Sequence, residues 1–309
     1  MLSEPMDILT RFPIRRSDAQ KRAFRDEVRM YASSMGYPVT VEEGKRGVHN
    51  VIIGDPKTAD YLITAHYDTP AVSLFPNFLT PTNFAVYLLY QIVVIVLFML
   101  IALIVCLPVA MMTKDKTAAF LVWYVAYMEL AFLPRYGPAN KNNYNDNTSG
   151  VVTVLETAKT MPSQYRHKVC FILFDMEEKG LVGSAAYRKA HKEETEKQII
   201  INLDCVGDGD DIRIFPTKKL KAEPDKMKWL KHACGHFGRK NIRIVGKGFT
   251  VYPSDQKNFP RAVAIAAFRQ SKWVGLYHGR IHTKKDTILE HSNVNILRAA
   301  LTTLITRES

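Results

Sequence analysis

The run from Phe84 to Met112 carries no full charge, and Gln91 is its one strongly polar side chain. It exceeds the ~20 residues that take a helix across a bilayer. A polar break, Thr113-Lys-Asp-Lys-Thr117, follows, and then a second apolar run from Ala118 to Leu133 interrupted by Glu129. The second run falls just under the usual ~17–25 residues of a span. The pattern predicts a two-helix transmembrane hairpin over 84–133. Two buried helices of a large soluble core, or a re-entrant segment, are the competing readings. Inside a bilayer Glu129 needs a partner, a shallow depth or a proton.

The hairpin interrupts a pattern of another kind, so 1–83 and 134–309 read as one discontinuous domain. Residues 5–36 place Phe24, Val28, Tyr31 and Ala32 at helical spacing among charges, as surface helices packed on a core do. Tyr37–Val41 and Asn50–Gly54 read as strands around the Gly44-Lys-Arg-Gly47 turn, and Tyr61–His66 as a buried strand. After the hairpin come a helix (Val151–Met161), a strand (Lys168–Phe174), a helix (Leu181–His191) and a strand (Gln198–Leu203). Further strands are expected at 212–215, 242–245, 262–268 and 273–277, with helices at 225–236, closed by Gly238, and 293–305. Such alternation predicts an α/β fold: a mixed, mostly parallel central sheet with helices on both faces. In such sheets the site lies beyond the carboxyl ends of the strands.

Charge narrows the partners. The chain holds 42 Lys+Arg against 30 Asp+Glu, a net +12 that favours anionic surroundings such as a membrane surface or acidic ligands. No finger spacing, aromatic box or basic heptad region is present, so no nucleic-acid partner is expected. Cys106, Cys170, Cys205 and Cys234 are scattered, which suits a reducing compartment. Met1-Leu-Ser-Glu-Pro-Met-Asp7 lacks a basic start before an apolar run, and no cleavable signal peptide is expected.

Carboxylates and imidazoles gather at the expected strand ends and the loops after them: His66 with Asp68, Asp146, Glu177 with Glu178, Asp204, and His282 with Asp286. Buried negative charge in that number needs a cation. Imidazole and carboxylate without thiolate suit zinc in a hydrolase, and the set is about right for two ions sharing a carboxylate. His66 and Asp68 stand at i and i+2, so Asp68 can orient the imidazole. Glu177 and Glu178 diverge as neighbours, leaving one to bind metal and the other to act as general base.

Five motifs stand in order: Ala65-His-Tyr-Asp-Thr69, Asn145-Asp-Asn-Thr-Ser-Gly150, Glu177-Glu-Lys-Gly-Leu-Val-Gly-Ser184, Asn202-Leu-Asp-Cys-Val-Gly207 and His282-Thr-Lys-Lys-Asp-Thr287. In this the chain resembles the di-zinc aminopeptidases of clan MH, metallopeptidase family 28, over roughly 50–83 and 134–309, with a hairpin that marks a membrane-embedded branch. The resemblance implies two Zn2+ ions per chain bridged by Asp146, one completed by His66 and Asp204, the other by Glu178 and His282. It further implies Glu177 as general base, Asp68 behind His66, and removal of N-terminal residues from a peptide substrate. Ser254-Asp255 is similar to a family Ser-Asp-His segment, but Gln256 stands in place of His, which leaves a substrate-binding role for Asp255 unsupported. Related activities on this fold stay open as alternatives: dipeptidase or carboxypeptidase cleavage, deacylation, and glutaminyl cyclisation. A non-enzymatic module does not fit a full ligand set.

Other features read as structural. His232 and His236, at i and i+4 in the expected helix, lack the Glu of a helical zinc protease. His278 and His291 flank the His282 motif, where a pocket-lining role competes with the expected reading as solvated histidines, and Cys205 reads as a small packed thiol. Because His66 precedes the hairpin and the other ligands follow it, both flanks share one side of the cell membrane. The cytoplasm is the expected side, and the bilayer itself a partner. A homo-oligomer through the hairpin stays open. Asp146 follows Leu133 closely enough that ~3.3–3.6 Å per residue keeps the site within about 45 Å of the membrane-facing end.

Overall fold

The computed structural model describes residues 4–246, 250 and 252–307. Helices Pro5–Arg11 (α1) and Asp18–Ser34 (α2) open the chain. At the start of α2, Ser17 accepts the Gln20 N–H while the Gln20 side chain returns to the Ser17 N–H, a reciprocal cap. Its buried face carries Phe24, Val28, Tyr31 and Ala32, the spacing that predicts it.

Strands β1 (Val39–Gly44), β2 (Val48–Ile53) and β3 (Tyr61–His66) follow. Helices α3 (Phe84–Thr113) and α4 (Lys116–Tyr136) come next, then α5 (Ser149–Thr160), β4 (Val169–Phe174), α6 (Val182–Ala190), α7 (Lys192–Lys197) and β5 (Ile199–Leu203). The remainder is β6 (Asp211–Pro216), α8 (Lys218–Lys221), α9 (Pro224–Lys231), β7 (Gly235–Phe237), β8 (Lys240–Ile244), β9 (Ala262–Ser271), β10 (Gly275–Tyr277) and α10 (His291–Arg307). The strands form one mixed sheet in the order β1-β2-β4-β3-β5-β9-β6-β8-β7, with β10 against β9. Its centre, β4-β3-β5-β9, is parallel, and antiparallel pairs lie on both flanks.

Both faces of that centre are covered, and the strands alternate between them. Tyr61, Ile63 and Ala65 join a core with Phe24, Val28, Val151, Leu155, Leu297 and Leu301. Leu62, Cys170, Ile172 and Ile200 face the other way, against Tyr187 and Phe259. Two-sided burial is why these strands read as unbroken apolar runs.

α3 and α4, of 30 and 21 residues, are long and apolar enough to cross a membrane. At 1.5 Å per residue α3 is about 45 Å long. The chain covers little of them: 17% of the most apolar window of α3 is buried, and none of that of α4. Asp115 begins α4 by accepting the N–H groups of Thr117 and Ala118.

The segment after α8 departs from expectation. The helix expected over 225–236 stops at Lys231, and Gly235–Phe237 pairs antiparallel with β8. Gly238, at φ +65°, makes the turn between those strands instead of capping a helix. His232 and His236 therefore do not share a helix face, and both are exposed.

His278 is not solvated either. It is 3% exposed, 4.3 Å from the Phe268 ring, and its Nε2 has no hydrogen-bond partner among the described residues. Burial lowers its pKa from the ordinary 6.5 to about 4. Below pH 6.5 the unfolded chain therefore takes a proton that the folded chain refuses, and stability falls as pH drops toward 4. At ~1.4 kcal/mol per tenfold this loss is about 3 kcal/mol by pH 4. His278→Leu should gain that much on the wild type between pH 7 and pH 4 in paired melts of the metal-free proteins.

Candidate metal centre

Three neighbouring strands aim the centre. His66 is the last residue of β3, Asp204 directly follows β5, and Glu177 and Glu178 lie just past β4. All sit at or just beyond the carboxyl ends of parallel strands, where the sheet leaves backbone free to turn toward a ligand. Loops before α5 and after β10 bring Asp146 and His282.

Asp146 divides its carboxylate between two groups. Its Oδ1 is 3.3 Å from His66 Nε2, which lies 3.8 Å from Asp204 Oδ1. Its Oδ2 is 3.1 Å from His282 Nε2, which lies 3.5 Å from Glu178 Oε2. His66, Asp146 and Asp204 thus form one candidate ligand set, and Asp146, Glu178 and His282 another, with ligand atoms in each within 4.8 Å of one another. Glu177 can pair with Glu178 and His66 in a third.

The residues around the sets fix them in place. Asp286 accepts the backbone N–H groups of Asn145 and Asp146 at 2.9 and 3.0 Å. Asn145 Oδ1 accepts from Gly207 and Asp208, and Asn147 Oδ1 accepts from Cys205 and Gly150, so the Asp146 and Asp204 loops are stitched together. Gly150 is required there, because a Cβ would stand 2.3 Å from Asn147 Oδ1 and 2.5 Å from the Leu203 carbonyl. Asp68 accepts the Glu177 and Glu178 N–H groups at 3.0 and 3.2 Å. His66 Nδ1 faces the Asp68 carbonyl at 3.2 Å and the Asp68 carboxylate at 3.5 Å. Asp68 therefore holds the glutamate turn as well as the imidazole. Met176, Cys205 and His282 have φ of 55°, 55° and 64°. Such strain costs about 1–3 kcal/mol per residue and concentrates where a site needs it.

The electrostatics of the cluster are those of a cation site. Burial pushes Glu178 up to about 8, against the pull of His282. Glu177 is raised well above its ordinary value, first by burial and then by its acidic neighbours, with His66 opposing. Burial also works against the charge of Asp146, but hydrogen bonds from His282 and His66 win and bring it below the usual carboxylate range. Glu178 Oε1 and Asp204 Oδ1 are buried without a hydrogen-bond donor among the described residues. A metal ion would satisfy those oxygens and offset the surplus negative charge, so the residues fit one.

Cys205 is buried, and burial raises its thiol pKa well above the ordinary value, which keeps it protonated. Asp255, fully buried and raised by burial to about 7, accepts a hydrogen bond from Ser184, and its other oxygen has no partner among the described residues. Gln256 turns away to the Tyr252 carbonyl at 2.7 Å. His291 is exposed at the start of α10, outside every candidate ligand set.

Arg15 gave no sign of itself in the sequence, where it sits beside Arg16 in a basic stretch. It is fully buried. Its guanidinium donates to the Tyr67 carbonyl at 2.6 Å, and to Asn143 and Thr148 at 3.3 and 3.1 Å, which ties the end of β3 to the Asp146 loop. Burial lowers its pKa to about 9, so it stays charged at neutral pH. Arg15→Met should cost about 1–3 kcal/mol for each acceptor left unsatisfied. Lysine, lacking the planar fork, should recover less than half of the lost melting temperature.

The fold is shared with several solved enzymes. A Zn-dependent exopeptidase from Parabacteroides distasonis aligns with TM-score 0.58 and 15% identity over 100% of both chains. A glutaminyl cyclase from Bacteroides thetaiotaomicron bound to N-acetylhistamine gives TM-score 0.58 and 14% identity over 99% of this chain and 96% of its own. For the LapA aminopeptidase of Legionella pneumophila the values are 0.58 and 14%, over 100% of this chain and 70% of its own. No curated protein matches the sequence. At these identities the likeness establishes the fold and leaves the activity to the residues. The sequence supplies the kinship directly: the model of Peptidase family M28 matches residues 135–305, more than half of the chain, and the protein belongs to that family.

Proposed function

We propose that the protein is a membrane-anchored zinc aminopeptidase that removes N-terminal residues from peptides. The carrying observation is the divided carboxylate of Asp146, one oxygen toward His66 and Asp204 and the other toward His282 and Glu178. That division suits two ions better than one. Two zinc ions, when bound, would polarise the scissile carbonyl and make water a stronger nucleophile.

The chain's own residues do the rest. Glu177, held at its backbone by Asp68, takes the proton from the attacking water and returns it to the leaving amine. Asp286 and Asn145 hold Asp146 rigid, so the site is organised before substrate arrives. A panel of peptides with free and acetylated N-termini, followed by mass spectrometry with metal analysis, tests the reading. Loss of single N-terminal residues from the free peptides alone is expected. Release of ammonia from N-terminal Gln without peptide cleavage would favour the cyclase alternative.

The hairpin supplies the anchor. Its apolar faces, with Leu89 at 61% and Ile104 at 66% exposed, need a cover that the described residues do not provide. His66 and Asp146 meet at its base, so both flanks occupy one side of the bilayer. The free cysteines favour the cytoplasm. A cysteine introduced at the 113–117 tip should react with an impermeant reagent on intact cells; labelling only after lysis reverses the topology.

A further inference from the structure

The hairpin and the metal centre share a cavity. It holds about 380 Å³ and is walled by α3 through Tyr90, Gln91, Val94 and Phe98, by α4 through Ala131, and by the loop after β3, and His282 also lines it. That volume is in the range of small-ligand sites, about 300–1,000 Å³. The walls are set before any ligand arrives. Ser73 donates its backbone N–H to the His282 carbonyl at 2.8 Å, and the Tyr90 hydroxyl donates to the Pro76 carbonyl at 2.8 Å. Phe75 and Phe98 pack with ring centroids 5.8 Å apart, and Phe78 and Tyr90 at 5.1 Å.

We propose that this cavity is the subsite for a large apolar side chain next to the scissile bond, so that the hairpin selects the peptide as well as anchoring the enzyme. The proposal rests on the peptidase reading. Three observations point to this occupant. The cavity is lined by His282, a candidate metal ligand, so its occupant lies one side chain away from the candidate centre. Its lining is largely apolar, which rewards Leu or Phe and gives a charged side chain nothing to pair with. Gln91 lines it and makes no side-chain hydrogen bond among the described residues, which leaves one amide free to hold the substrate's peptide unit. The sequence marked Gln91 as the lone amide of an apolar run, and the cavity gives it a use. Peptides that leave or line a bilayer have the matching chemistry.

The test uses the full chain in nanodiscs with Glu177→Gln, so that binding is read without turnover. The dipeptides Leu-Phe and Gly-Gly are the probes, and Leu-Gly and Gly-Phe show which side of the bond the cavity serves. Leu-Phe should bind about 10–100-fold more tightly than Gly-Gly. Val94→Trp and Ala131→Trp, which fill the cavity from opposite helices, should each erase that preference and leave Gly-Gly binding unchanged. A preference that survives both fillings overturns the proposal. So does the absence of any preference, or an equal loss of both ligands. The peptidase reading fails separately, if the parent enzyme cleaves none of these dipeptides while the binding preference holds.

Discussion

Glu177→Gln should lower kcat by about two to four orders of magnitude, with metal content and substrate binding kept at wild-type levels. The size follows from the role: a group that carries the proton from nucleophile to leaving amine is missed only in the transition state. The change is also clean. Asp68 holds the Glu177 N–H at 3.0 Å whatever the side chain, and glutamine has nearly the same shape. The informative control is the neighbour. Both glutamates have oxygens within reach of His66, so the geometry admits either as a ligand. Glu178 alone has His282 Nε2 at 3.5 Å and shares that imidazole with Asp146. Glu178→Gln should therefore lose bound metal, whereas Glu177→Gln should not. Metal analysis and steady-state kinetics on the two variants decide it. Metal loss from the Glu177 variant alone would exchange the two roles.

Much of the grouping of these candidate ligands was legible from residue order because they sit where chain geometry leaves little choice. A strand that ends at His66, a helix that starts after Asp146 and a strand that ends before Asp204 are local features, each marked by apolar periodicity beside a polar break. What joins them was not legible. Asn145 and Asn147 clamp two loops through side-chain amides, a use of asparagine that looks in sequence like an ordinary turn. Arg15 reaches the centre from the chain's first segment, and a buried guanidinium has the same letter as a solvated one. The failures have the same cause. His278 looks solvated in sequence because nothing local records that Phe268 and Tyr252 cover it. The helix expected through His236 gave way to a hairpin because pairing with β8 outweighs the helical preference of a short Lys-rich segment. Local signals fix the elements here, and long-range packing decides what surrounds them.

On the proposed two-ion reading, Asp146→Asn should reduce bound zinc from two ions toward one or none, and activity with it by at least as much as the loss of Glu177. Asparagine keeps the size of the residue but offers one acceptor oxygen and one donor in place of two acceptors. Whichever way the amide turns, either the His66 and Asp204 set or the His282 and Glu178 set faces an NH2 group that no cation can use. The loop itself should hold, because Asp286 bonds the backbone N–H of residue 146 and not its side chain. The effect should therefore appear in metal affinity before it appears in the fold. Thermal melts separate the two. A tightly held ligand present at 1,000 times its Kd stabilises the folded state by about 4 kcal/mol, so a chelator should lower the wild-type melting temperature by several degrees. The variant, with little metal to lose, should shift much less, each protein being compared with its own untreated state. If Asp146→Asn retains two ions and a wild-type response to chelation, Asp146 is not the shared ligand. The division of its oxygens would then be a structural ion pair between two histidines.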